Sequence, residues 1–126
     1  MTTRNLPSPE YLRKRLRYEP ETGKLYWRCR PVEDFANEPQ IGPDARCRAW
    51  NTTWADKEAF TAERDYGYRV GAVDGVNFRA HRVIWAIVHD SWPEGEIDHI
   101  DGNPSNNRIE NLRLASRTEQ SRNNMD

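Results

Sequence analysis

The segment from Glu96 to Leu114 constrains the fold of this chain more than any other. It reads EIDHIDGNPSNNRIENLRL, in which Asp98, His99 and several asparagines stand between single aliphatic residues. Gly102 and Pro104 interrupt any regular helix. The segment therefore predicts a strand end followed by a polar loop, and it gathers an unusual number of side chains that can bind a ligand.

Length and composition limit what can surround this segment. The chain has 126 residues, which is enough for one small domain with a modest core, predicted over residues 1–126. No apolar run approaches the roughly 18 residues of a membrane span, and the first residues lack the apolar core of a signal peptide. We therefore expect a cytoplasmic protein without membrane contact. Cys29 and Cys47 form no Cys-x-x-Cys pair, so we expect two reduced thiols and no zinc site.

The charges are segregated along the chain although the formal net charge is only -1. Residues 1–30 carry eight basic and three acidic side chains, a balance of 8 − 3 = +5, whereas residues 31–66 carry four basic and eight acidic ones. Residues 108–122 add four arginines against two glutamates. Two basic ends around an acidic middle permit a polyanionic partner.

The first half of the chain predicts a helix, a strand and a connector. Ser8, Pro9 and Glu10 have the order of an N-cap, an N1 proline and a first-turn acid, which predicts a helix over about 9–18. The aromatic run 24–29 after a turn predicts a strand. Residues 31–65 are expected to be irregular or partly helical, with a short helix near 51–60.

The second half predicts a hairpin and two helices. The dipeptide Asp74-Gly75 between alternating segments is a strong hairpin signal. Apolar residues at helical spacing predict a buried helix over 81–89 that ends before Pro93. The spacing of Ser116 and Glu119 predicts a further helix that begins with a capping box. Together these elements predict an α+β fold.

The neighbours Asp98 and His99 indicate phosphodiester chemistry. A calcium loop is disfavoured because Ile100 takes a position that needs an oxygen ligand. Carboxylate and amide oxygens suit Mg²⁺ or Mn²⁺, and a neighbouring imidazole is free to deprotonate water. Asn103 and Asn106 are interpreted as turn residues.

At these residues the chain resembles the HNH endonuclease family, especially its small phage and intron-type, homing-endonuclease-like members. The matching residues are Val83-Ile84-Trp85, Trp92-Pro93, Ile97 to Asn103, Asn107-Arg108 and Asn111-Leu112-Arg113, with further similarity at Trp50-Asn51, Gly67-Tyr68, Asp74-Gly75 and His81-Arg82 and weaker similarity from Tyr18 to Trp27. The resemblance implies a C-terminal ββα-metal core over 66–126, preceded by a helix and hairpin region over 1–65.

The resemblance also implies roles for single residues. Asp98 matches the first metal ligand and His99 the general base, and Asn111 matches the central asparagine whose amide spans the loop and holds the histidine. The second metal-binding position, normally His or Asn, holds Gln120 in this chain. Asn123, one helical turn later, is the alternative ligand.

DNA is the expected partner, and a homodimer is one way to cut both strands. Candidate phosphate contacts are Arg82, Arg108, Arg113, Arg117 and Arg122. His81 is interpreted as a packing residue between hairpin and helix. Two rival functions stay open: an HNH-fold DNA-binding module that has lost turnover through the change at Gln120, and an accessory subunit of a phage DNA-processing machine.

Overall fold

A computed structural model describes residues 6–36 and 42–115. This part of the chain contains three α-helices and eight strands: α1 (Pro9–Arg15), β1 (Leu16–Glu19), β2 (Lys24–Trp27), α2 (Pro43–Trp54), β3 (Glu58–Ala59), β4 (Ala62–Arg64), β5 (Tyr68–Val73), β6 (Val76–Arg79), α3 (Ala80–His89), β7 (Glu96–His99) and β8 (Leu112–Ala115). Short 3₁₀ turns lie at Val32–Phe35 and Ile109–Asn111. The strands form three antiparallel sheets, β1-β2-β3, β4-β5-β6 and β7-β8. The α+β fold class is confirmed, and the helix predicted after Ser116 lies outside the described residues.

The N-terminal helix begins where the sequence predicts and ends three residues early. The Ser8 hydroxyl accepts the backbone N–H of Tyr11 at 3.1 Å, which caps the first turn. The predicted helical residues 16–18 instead belong to β1, because Leu16 pairs with Trp27 and Tyr18 with Leu25 across a hairpin. Tertiary pairing has overridden local helix propensity at this boundary.

The connector is more ordered than the sequence suggests. Helix α2 begins at Pro43, well before the predicted start near residue 51, and it ends at Trp54. Asn51 fastens it to the segment after β2, since its amide accepts the Arg30 N–H at 2.8 Å and donates to the Arg30 carbonyl at 3.0 Å. Strand β3 pairs with β2, and strand β4 pairs with β5. The boundary that the sequence predicts between the N-terminal region and the C-terminal core, at residues 65 and 66, therefore falls in the turn that joins β4 to β5.

The central hairpin and helix follow the sequence closely. Asp74 and Gly75 both have positive φ, 52° and 80°, which is the backbone geometry that a tight hairpin requires. Helix α3 starts directly after β6 and buries Val83, Ile84 and Ala86. The helix begins one residue earlier than predicted and ends at His89. The next residue, Asp90, is the C-cap and has the left-handed conformation. None of the helices in ranges 6–36 and 42–115 is long and apolar enough to cross a membrane.

A single hydrophobic core joins these elements and fixes the last hairpin. The core runs from Leu12 and Leu16 through Phe78 and Ile84 to the hairpin of β7 and β8. In that hairpin Ile97 and Leu112 are buried, at 7% and 6% exposure. Burial of these two side chains sets which residues of the hairpin face outward, and thereby positions Asp98 and His99.

Candidate functional site

The long loop between β7 and β8 is locked by the side chain of Asn111. Its amide oxygen accepts the backbone N–H of Asp101 at 3.0 Å, and its Nδ2 donates to Oδ1 of Asp101 and to the carbonyl of Asn106, both at 2.9 Å. Its own carbonyl accepts the N–H of Ile100 at 2.8 Å. Because Asn111 is only 8% exposed, these bonds are shielded from water. One buried amide therefore spans the loop and holds its two ends together.

Asp101 is the second organising residue of the loop. Its carboxylate accepts the amide of Asn106 at 2.7 Å and the backbone N–H of Asn103 at 2.8 Å, in addition to the Asn111 amide. These hydrogen bonds, led by that of Asn106, keep the pKa of Asp101 below its ordinary value. The Asp101 carboxylate therefore stabilises the loop. Asn103 and Asn106 make the turns that the sequence predicts.

His99 is held by Asn107. Its Nε2 atom lies 2.8 Å from Oδ1 of Asn107, which is 3% exposed. With an amide oxygen as acceptor, Nε2 carries the proton and Nδ1 keeps a free lone pair. The Tyr18 hydroxyl donates to the Asn107 carbonyl at 2.7 Å, and burial raises the pKa of Tyr18 to about 12, which keeps it a donor.

This contact adds a residue to the role that the resemblance implies for Asn111. The amide of Asn111 spans the loop by binding its backbone and Asp101, whereas the side-chain hydrogen bond to His99 comes from Asn107. Sequence reasoning treated Asn107 as a loop residue, because an asparagine eight residues after a histidine carries no local signal of contact. Its place in the matching pair Asn107-Arg108 was the available hint.

Three rings pack together behind the site. The ring centroids of His81 and His99 are 5.1 Å apart, and Tyr68 lies 5.5 Å from His81 and 5.9 Å from His99. Burial, followed by the positive charge of neighbouring His99, Arg82 and Arg79, lowers the pKa of His81 to about 3. His81 is therefore a neutral, buried packing residue between β6 and α3, in agreement with the sequence.

Asp98 has one carboxylate oxygen that accepts no hydrogen bond. This atom, Oδ2, is buried. Its ion-pair partner is the Nη2 atom of Arg113, opposite Asp98 in the β7–β8 pairing, which lies 3.8 Å away and too far for a hydrogen bond. A buried carboxylate oxygen that accepts no hydrogen bond is costly and suits a hard divalent cation. Asp98 thus fits the role of a metal ligand.

Asp98 and His99 line the same open cleft, of about 320 Å³, together with Tyr66 and Tyr68. Across the described ranges, no three His, Cys, Asp or Glu side chains converge into a group that could hold a metal. Gln120 and Asn123, the two candidates from the sequence, lie outside the described residues.

Three of the five candidate phosphate contacts are described. Arg82 donates to the Gly95 carbonyl at 3.1 Å and Arg108 to the Glu21 carbonyl at 2.9 Å, while Arg113 stands beside Asp98. Arg117 and Arg122 lie outside the described residues. Arg79, which the sequence did not single out, places its guanidinium 4.5 Å from the centre of the Tyr68 ring.

Comparison with known proteins agrees with this geometry. Residues 78–122, which include α3 and the β7–β8 hairpin, match the HNH endonuclease family. This segment belongs to that family, and the resemblance seen in the sequence is confirmed.

At the level of single proteins, the chain is similar to Protein 3.8 of Escherichia phage T7, with 48% identity over 44 residues. That match covers 34% of this chain and 36% of the relative, so the chain spans about a third of the length of the curated protein that it matches. No solved structure matches the chain.

Proposed function

We propose that this protein is a metal-dependent DNA endonuclease that hydrolyses phosphodiester bonds by direct attack of water. The observation that carries the proposal is one open cleft that holds both an imidazole, fixed through Nε2 by Asn107, and an Asp98 oxygen that accepts no hydrogen bond. The family match over residues 78–122 supports it. Hydrolysis of a phosphodiester requires a general base beside an oxygen that can bind a divalent cation.

In this mechanism His99 accepts the proton of the attacking water at Nδ1. The hydrogen bond from Nε2 to Asn107 keeps the ring in the tautomer that leaves Nδ1 unprotonated. The Asn111 amide holds the loop that follows His99 and thereby fixes the position of the ring. Both asparagines are positioning residues, since they act through His99.

Asp98 would hold the divalent cation together with Gln120 or Asn123, with Mg²⁺ as the first candidate and Mn²⁺ as the second. A cation bound there would stabilise negative charge on the phosphate and the departing 3′ oxygen. Cleavage would then leave a 5′ phosphate. The phosphates on either side would be contacted by arginines, for which the candidates are Arg82, Arg108, Arg113, Arg117 and Arg122.

The alternative is a DNA-binding module, or an accessory subunit of a phage DNA-processing machine, without turnover. Two observations favour it. The guanidinium of Arg113 lies 3.8 Å from the oxygen that a cation would need, and Gln120 departs from the His or Asn of the family. A permanent ion pair between Arg113 and Asp98 would replace the cation.

Incubation with supercoiled plasmid decides between these functions. We expect wild-type protein to cleave in Mg²⁺ or Mn²⁺, each tested separately, and not in EDTA. His99→Ala should bind DNA without cleaving, and His89→Ala, at the exposed end of α3, is the matched control that should cleave normally. DNA binding without cleavage by any variant would establish the module, and absence of a salt-sensitive mobility shift would favour the accessory subunit.

The plasmid products also report the number of sites. One HNH site cuts one strand at a time, so a monomer should yield nicked circles first. Linear product that appears without a nicked precursor would indicate a homodimer that presents two sites at once.

A further inference from the structure

Tyr66 displays an aromatic ring almost entirely in solvent. It is 95% exposed, whereas Tyr68, two residues later, is half-buried against His81 and His99. A large ring that contacts almost nothing in its own chain makes little contribution to folding. Its exposure at a loop tip is more readily explained by a binding partner.

The turn that carries Tyr66 has an uncommon backbone. Asp65, Tyr66 and Gly67 have φ values of 48°, 72° and 93°, which places two non-glycine residues in the left-handed region. Such conformations persist where the surrounding structure imposes them, and they cluster at functional sites. The conformation of this turn therefore fixes where the Tyr66 side chain leaves the backbone.

The same turn is fastened to the site loop. The Ser105 hydroxyl donates to the Gly67 carbonyl at 3.0 Å, and Ser105 belongs to the loop that Asn111 locks. A Cβ at Gly67 would lie 3.3 Å from the Pro104 ring, so the two loops are packed closely. On the other side, Asp65 faces Arg79 at 3.8 Å. The backbone of Tyr66 is consequently held at a defined position relative to the loop that follows His99.

Tyr66 also stands at the mouth of the cleft that Asp98 and His99 line. Tyr68, which lines the same cleft, carries the Arg79 guanidinium 4.5 Å from the centre of its ring. An exposed ring beside a candidate phosphodiester site matches the two parts of a nucleotide, a flat base and an anionic phosphate.

We propose that Tyr66 stacks on a nucleobase of the bound DNA next to the phosphate in the Asp98–His99 cleft. The inference rests on the proposed function, because it assumes DNA as the ligand of that cleft. Stacking on a base face is tolerant of sequence and involves no phosphate charge. Tyr66 would therefore add affinity and hold the strand without selecting a target sequence.

Binding in EDTA tests this separately from cleavage. Fluorescence anisotropy would give the Kd at several salt concentrations, with a fluorescein-labelled duplex of about 30 base pairs that has a short single-stranded gap, where base faces are free to stack. Tyr66→Ala should weaken binding by about 5- to 150-fold, the range for loss of one stacked base, and leave the slope of log K against log salt unchanged. Tyr66→Phe should bind like wild type, whereas Tyr66→Leu, which is apolar but has no aromatic face, should resemble Tyr66→Ala.

Trp54→Ala provides the matched control, because Trp54 is an exposed aromatic residue, 47% exposed, away from this cleft. It should bind DNA like wild type. Unchanged affinity in Tyr66→Ala, or equal affinity in the Phe and Leu variants, would overturn the stacking role while leaving the proposed nuclease intact. A Tyr66→Ala protein that binds DNA normally but elutes as a smaller species would assign the ring to a protein interface instead. Failure of wild-type protein to bind the duplex would overturn both proposals.

Discussion

The Nε2 atom of His99 and the amide oxygen of Asn107 lie 2.8 Å apart, although Asn107 comes eight residues later in the chain. The Tyr18 hydroxyl, from the N-terminal hairpin, donates a hydrogen bond to the Asn107 carbonyl. The orientation of the candidate base therefore depends on packing between the two ends of the described chain. Through this contact the N-terminal hairpin supports the segment that matches the HNH family.

Asn107→Leu should impair cleavage without impairing DNA binding. The change keeps a similar volume but removes the acceptor for Nε2, so the imidazole loses its fixed tautomer. We expect kcat to fall by about 10- to 100-fold, the range for groups that orient a catalytic ligand, with little change in KM. Asn107→Asp retains an acceptor oxygen and should keep most of the activity. Equal loss in both variants, together with a lowered Tm, would mean that Asn107 serves folding alone.

Asn111→Ala should destabilise the protein by about 1–3 kcal/mol, since it leaves buried loop groups without partners. The change removes three side-chain hydrogen bonds, to the backbone and carboxylate of Asp101 and to the Asn106 carbonyl. Urea unfolding measures the difference. Asn103→Ala removes a single exposed bond to Ser105 and should cost less than about 1 kcal/mol. Similar losses for the two variants would contradict the central role of Asn111.

Stability should decrease as the pH falls below about 6.5, and His81 should be one cause. The pKa of His81 in the folded protein is lowered to about 3 from an ordinary value of 6.5. Between these two pH values the unfolded chain is protonated at His81 and the folded chain is not. The stabilisation is complete above pH 6.5 and is lost progressively toward pH 3, with a slope of up to about 1.4 kcal/mol per pH unit.

His81→Phe keeps a ring between Tyr68 and His99 but does not titrate. Denaturant unfolding between pH 5 and 6.5, above the range of most carboxylates, should show a smaller pH slope for this variant than for wild type. Identical slopes would show that His81 is protonated in the folded protein.

Arg113→Ala should weaken DNA binding and reduce its salt dependence. Its side chain is about half exposed and makes only a long contact, 3.8 Å, to Asp98. If it contacts one phosphate, the slope of log K against log salt should fall by about one unit. Arg64→Ala, in the short exposed strand β4, is a suitable control. An increase in metal-dependent cleavage by Arg113→Ala would instead indicate that Arg113 competes with the cation for Asp98.

Where the fold follows local signals, the sequence predicted it well. The Asp74-Gly75 turn and helix α3 have their determinants within a few residues, namely positive φ at the turn and apolar spacing in the helix. The place of Asp98 and His99 at the end of a strand was predicted for the same reason. The family resemblance added the role of Asn111 as the residue that spans the loop, which local patterns do not indicate.

Where the structure depends on distant contacts, the sequence was a poorer guide. Arg15 is 4% exposed and forms an ion pair with Asp74 at 2.6 Å, a contact that no local pattern indicates. Helix α1 ends there because the next residues, from Leu16 onward, pair with β2. Asn107 was missed for the same physical reason, since its partner His99 is brought to it only by the folded loop.

Single-turnover cleavage of plasmid DNA by His99→Ala, with protein in excess and saturating Mg²⁺ or Mn²⁺, tests the central claim most directly. If His99 activates the water, the rate should fall by at least about 100-fold while the Kd for DNA and the Tm stay near their wild-type values. Cleavage by His99→Ala at the wild-type rate would contradict the assignment of His99 as the general base.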